Sequence, residues 1–130
     1  MKCTHIALQV ADIERSIAFY ARYCGLRVVH RRTDEFPVAW LGWGEDPPQF
    51  VIVLLGKAYE QNAPPPFQHI GMAVDSRAEV DALHERAVGD GIVRVWPPTD
   101  AGPIVGYLCG VRDPDGNLVE FSHGQRIGVP

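Results

Sequence analysis

Two histidines, His5 and His69, open nearly the same alternating segment: His5-Ile6-Ala7-Leu8-Gln9-Val10 and, 64 residues later, His69-Ile70-Gly71-Met72-Ala73-Val74. A carboxylate, Glu120, stands inside the apolar run Leu118-Val119-Glu120-Phe121. A single imidazole at the start of a strand is usually a hydrogen-bonded surface group. Two at equivalent places of a repeated unit, with a carboxylate whose burial is costly unless a cation or hydrogen bonds offset it, describe ligands for one divalent metal ion. Imidazole and carboxylate donors suit Fe(II), Mn(II), Zn(II), Ni(II) or Co(II), and three ligands leave positions for water or substrate, as catalytic centres do. Matching Phe50–Leu54 to Asn117–Phe121 puts Val53 at the place of Glu120, so the first copy supplies no fourth ligand.

The repeat also dictates the elements that position these residues. The offset of 64 carries Ala18 onto Ala82, Phe19 onto Leu83, Gly25 onto Gly89 and Val28-Val29 onto Ile92-Val93. Each copy reads as strand, helix and three strands. Residues 4–10 alternate as a strand does, and Asp12 caps a helix over about 12–24, with Ile13, Ile17, Phe19, Tyr20 and Cys24 at helical spacing and Gly25 closing it. Strands follow over 26–31, 38–43 and 50–55. In the second copy, Ser76 and Glu79 form a capping box before a helix over about 77–88, and strands follow over 92–96, 104–112 and 118–121. Asp113-Pro114-Asp115-Gly116 is a turn. The expected organisation is one domain of two modules, 1–56 and 67–123, with a proline-rich linker over 57–66 and a tail over 124–130.

The 130 residues are 46% hydrophobic and 22% charged, the composition of one ordinary soluble domain. Such a chain buries about 65–70% of the surface its unfolded form exposes, so a metal would serve function rather than hold the fold. A net charge of −4 without a basic block argues against nucleic acid as a partner. Three cysteines at Cys3, Cys24 and Cys109 match neither a disulfide framework nor a zinc pattern and suggest a reducing compartment. With no signal-peptide pattern and no apolar run long enough for a membrane span, the expectation is a cytoplasmic protein.

These residues resemble the vicinal oxygen chelate superfamily, which includes glyoxalase I, fosfomycin-resistance transferases, extradiol dioxygenases, methylmalonyl-CoA epimerase and bleomycin-resistance proteins. The resemblance is carried by the His5 segment with Asp12, Ser16, Phe19-Tyr20 and Gly25-Leu26, by His69-Ile70-Gly71-Met72, and by Gly106-Tyr107 with the run from Asp113 to Phe121. It implies an α+β fold in which paired βαβββ modules form an open, U-shaped mixed-sheet barrel, usually in a homodimer. It implies a metal that binds neighbouring oxygens of a small substrate and stabilises an oxyanion or enolate. Glyoxalase I and the epimerase usually carry Glu or Gln where this chain has Val53. Fosfomycin-type enzymes carry a polar loop where this chain has Trp96 to Pro103, which argues against a phosphonate. Extradiol dioxygenases share the His-His-Glu set and a tyrosine ahead of the last turn, here Tyr107.

The expected function is a metal-dependent lyase, isomerase or ring-cleaving dioxygenase with His5, His69 and Glu120 as ligands. Glu120 is also a candidate proton carrier, and Tyr107 a candidate donor to a substrate oxyanion. Trp40, Trp43 and Trp96 are candidate walls of a flat aromatic pocket, and Arg94 a candidate anion contact. His30, His84 and His123 fall outside the repeat equivalence; His84 is read as an exposed helix residue, His123 as not a metal ligand, and Cys109 as buried packing. The competing reading is a metal-free bleomycin-resistance-type protein that sequesters an aromatic antibiotic or natural product.

Overall fold

A computed structural model describes residues 1–57 and 68–127. The linker expected over 57–66 therefore lies, apart from Lys57, outside the described residues, as does the end of the tail. The chain divides into two compact units, Met1–Asn62 and Ala63–Pro130.

The first unit contains β1 (His5–Gln9), α1 (Ile13–Cys24), β2 (Arg27–Arg32), β3 (Val38–Gly42) and β4 (Val51–Leu55), in one mixed sheet of order β1-β4-β3-β2. Asp12 is extended and its carboxylate accepts from the Arg15 N–H at 3.1 Å, satisfying one orphan amide of the helix start. Gly25, with φ of 65°, ends α1 in a left-handed turn, in which the Gly25 and Leu26 amides donate to Ala21 and Tyr20 carbonyls at 3.2 Å each. The helix buries Ile13, Ser16, Phe19, Tyr20 and Tyr23. Phe19 stacks on Tyr23 with ring centres 4.8 Å apart, and burial of such rings supplies much of this unit's core. Arg31 on the outer strand grips the Glu14 carboxylate at 2.6 Å, an exposed pair that adds little to stability.

The second unit contains β5 (His69–Ala73), α2 (Arg77–Gly89), β6 (Arg94–Asp100), the short α3 (Gly102–Val105), β7 (Tyr107–Arg112) and β8 (Leu118–His123), in the corresponding order β5-β8-β7-β6. The fold is thus α+β, two βαβββ modules with two separate four-stranded mixed sheets, neither closed into a barrel. Ser76 Oγ accepts from the Glu79 N–H at 3.1 Å, while the Glu79 carboxylate accepts from Asp75 at 2.6 Å rather than from Ser76 itself. Asp113 sits buried at the last turn, where its carboxylate accepts from the Asp115 and Asn117 amides and from the Asn117 side chain.

Three expectations shift. Gly89 remains helical, and the left-handed glycine after α2 is Gly91. The strand expected over 92–96 begins at Arg94 and runs through Pro97 and Pro98 to Asp100, which an edge strand tolerates because prolines there cost no ladder bond. The strand expected over 104–112 begins at Tyr107, because Gly102 and Gly106 both take positive φ and close a turn through a 2.8 Å hydrogen bond. No helix among the described residues is long and apolar enough to cross a membrane.

Candidate functional site

β-Strand pleating puts alternate residues on opposite faces. In the second sheet, Cys109 lies toward α2, its thiol donating to the Val80 carbonyl at 3.6 Å. The neighbouring parity, with Gly110, Glu120 and Gly71, lies on the face away from that helix. His69 stands on the same face as Gly71, and its Nε2 is 3.4 Å from Glu120 Oε2. Glu120 is only 4% exposed although it carries a carboxylate.

Register explains how the carboxylate fits. Gly71 on β5 and Gly110 on β7 are the cross-strand partners of Glu120, so neither flank carries a side chain. Trp96 is the next residue in that transverse row, paired with Gly110. A Cβ on Gly110 would lie 2.8 Å from the Trp96 ring, so the indole rests on that glycine. The Trp96 ring meets His69 edge-on, with centres 5.5 Å apart at 81°. Gly110 is a positioning residue that sequence reading missed; its signal was an isolated glycine inside a strand pattern.

In the first sheet, His5 opens β1 and shares a 3.1 Å hydrogen bond between its Nδ1 and Thr4 Oγ1. When Nδ1–H donates to the hydroxyl, Nε2 is the bare nitrogen able to bind a metal. The corresponding row here reads Ala7, Val53, Trp40, His30. The residue paired with Ala7 is Val53, just as Glu120 pairs with Gly71. These residues, with His5, line a cavity of about 580 Å³ on the face away from α1. His30, which has no counterpart in the repeat, is therefore on the wall of the His5 cavity. A register shift between Val28 and His30 brings it there, and periodicity alone does not reveal such a shift.

Among the described residues no group of three or more His, Cys, Asp or Glu side chains is placed to hold a metal ion. The structure brings together His69 and Glu120; His5 belongs to the first unit. The pair fits a metal, because two donors each about 2.1 Å from one ion stand about as far apart as the 3.4 Å seen here.

The remaining candidates are placed elsewhere. Tyr107 lies on the α2 side of its sheet and donates to Asp81 Oδ1 at 2.6 Å, with the Arg77 guanidinium 4.8 Å over its ring. That hydrogen bond, then burial, raises its pKa above the usual phenol value. It does not share a face with Glu120, so the structure does not present it as an oxyanion donor for that pair. The turn holding β7 against β8 pairs Tyr107 with His123 and sets this parity. Trp43 follows β3, and its indole N–H donates to the Cys24 carbonyl at 2.8 Å, anchoring the end of α1. Of the three tryptophans, Trp40 lines the first unit's cavity and Trp96 stands by His69 in the second unit. Arg94 is exposed on the edge strand β6. Cys109 is buried, and burial pushes its thiol up to about 11.

The family model described as the Glyoxalase/Bleomycin resistance protein/Dioxygenase superfamily matches residues 2–121, and the chain belongs to this superfamily. It is 43% identical over 127 residues to the Pseudomonas aeruginosa protein named "Uncharacterized protein PA2024", with 96% of this chain and 90% of that one covered. It is 31% identical over 146 residues to the lactoylglutathione lyase of Salmonella typhimurium, covering 98% and 96% of the two chains. Among solved structures, the fosfomycin resistance protein FosX of Listeria monocytogenes, complexed with Mn(II) and 1S,2S-dihydroxypropylphosphonic acid, superposes with a TM-score of 0.76. That match has 21% identity and covers 97% of this chain and 94% of FosX, a likeness of fold. The superfamily thus contains enzymes, and divalent metal is found in a structural neighbour.

Proposed function

We propose that the protein is a divalent-metal-dependent enzyme of the lyase or isomerase type, acting on a small substrate with two neighbouring oxygens. His69 and Glu120, with His5 from a first unit, are the ligands in this reading, and a homodimer is the assembly it expects. The observation that carries it is the His69–Glu120 pair: a carboxylate 4% exposed, cleared of neighbours by two glycines, with an imidazole nitrogen at 3.4 Å. A carboxylate so enclosed is costly to leave charged without a cation.

When bound, the metal supplies Lewis acidity that lowers the energy of negative charge on substrate oxygens. The protein's own share is geometric. Gly71 leaves one flank of Glu120 open, since a Cβ there would meet nothing within 4 Å. Trp96 meets the His69 ring edge-on, with ring centres 5.5 Å apart. Glu120 is the carboxylate placed to take a proton from a substrate carbon in this reading. The 31% identity to a lactoylglutathione lyase over nearly both whole chains supports lyase or isomerase chemistry. The ring-cleaving reading loses support with Tyr107, which engages Asp81.

The test is metal content and affinity of anaerobically purified protein, compared with His5→Ala, His69→Ala and Glu120→Ala. About one divalent ion per chain, lost in all three variants, is the expected result. A protein that neither carries nor takes up Mn, Fe, Co, Ni or Zn overturns the proposal and leaves the metal-free binding protein standing.

A further inference from the structure

The transverse row Ala7, Val53, Trp40, His30 contains an imidazole that the metal reading does not use. At the edge of this sheet, β2 inserts one residue: Val28 pairs with Leu41, His30 pairs with Trp40, and Val29 is the extra residue between them. A bulge of this kind re-aims a side chain. Here it sets His30 beside Trp40, ring centres 4.9 Å apart at 58°, and both line the cavity that His5 enters. Val51, Val53 and Ala7 give that cavity an apolar floor, and among the described residues no Lys, Arg, Asp or Glu lines it. Arg32 lies 5.9 Å over the Trp40 ring centre and pairs with Asp34 at 3.4 Å, outside the residues that line the cavity.

We propose that this cavity takes an uncharged, flat ring bearing a hydroxyl, stacked on Trp40, and that His30 is the residue that hydrogen-bonds the hydroxyl. The inference rests on the reading that substrate reaches the face carrying His5, and it names the class of group that substrate carries there. The volume, about 580 Å³, is that of a small-molecule site. In the metal-free protein a carboxylate of the same size loses its hydration on this floor and has only Arg32, already engaged by Asp34, near it. Of the polar side chains in the lining, Thr4 and His5 bond each other at 3.1 Å, which leaves the His30 imidazole to distinguish a hydroxylated ring from its ether.

The test uses metal-free, 15N-labelled protein titrated with p-cresol, followed by the indole N–H signals. Saturable movement of the Trp40 signal with the Trp43 signal unmoved is expected, and 4-methylbenzoate should bind about tenfold more weakly. His30→Phe should weaken p-cresol about fivefold while leaving 4-methylanisole within about twofold, and His30→Gln should recover most of the loss. The inference is overturned if Trp40 does not respond to p-cresol. It is also overturned if His30→Phe weakens both probes alike, if the benzoate binds as well, or if the Trp40 signal moves only with protein concentration, which would mean a second copy fills the cavity. Since no metal is present, failure here with metal binding intact removes this inference alone, and failure of the metal test leaves the p-cresol result readable.

Discussion

Val53 and Glu120 hold the same position in two sheets of the same strand order: each pairs with the residue two places after the histidine that opens its unit. One sheet presents a carboxylate there between two glycines, the other an isopropyl group between Ala7 and Trp40.

Val53→Glu should therefore create a second carboxylate in the equivalent row. Val53 is 6% exposed, so in metal-free protein the substitution should cost roughly 3 kcal/mol in urea unfolding. Saturating Ni(II) or Mn(II) should return part of that loss and bind more tightly than in the wild type. If the metal makes no difference to the variant's midpoint, position 53 does not face the ion.

Gly110→Ala tests the floor beneath Trp96. A Cβ there meets the ring at 2.8 Å and Leu118 at 3.1 Å, so something must move. A destabilisation of about 1–3 kcal/mol is expected, with a shifted Trp96 signal and weaker metal binding as His69 loses its edge contact. Gly71→Ala, whose Cβ meets nothing, should fold with nearly wild-type stability.

The Tyr107–Asp81 bond predicts a pH dependence on the alkaline side. The hydrogen bond to Asp81 raises the phenol's pKa above its ordinary 10.0, so the folded state favours the neutral form. That contribution is fully present below the unfolded phenol's pKa and fades as pH rises through the folded one. The stability gap between wild type and Tyr107→Phe should be constant at pH 7–9 and shrink above about pH 10. A gap that persists unchanged at pH 11.5 would contradict the assignment.

The three thiols should react very unequally. Cys3 is exposed, Cys24 is pushed up to about 12 by burial, and Cys109 to about 11 by burial first and then by Asp81 and Glu120. Ellman's reagent at pH 8 should modify one thiol per native chain quickly and three after denaturation. A Cys3→Ser variant should show almost no fast phase.

The repeat was legible because its register is carried by residue identities: His5 and His69 do open β1 and β5, and Asp12 and Gly25 bound α1 as their chemistry requires. What escaped was set by the hydrogen-bond ladder rather than by residue type. The extra residue at Val29 turns His30 onto the cavity face, and any ladder-blind alternation puts it elsewhere. The face of Tyr107 depends on a register fixed across the Asp113 turn. The glycines at 102 and 106 both permit a turn, but only their 2.8 Å closure shows that they use it.

The irregular pairing of β2 and β6 also bears on life at high concentration. Both are outer strands, and each breaks register with its neighbour, β6 at two points and across two prolines. A strand with an extra residue or a missing amide is a poor template for another molecule's strand. Each sheet thus has one spoiled border on which fibrous stacking cannot easily start, which leaves the regularly paired β1 and β5 as the borders where strand addition would begin.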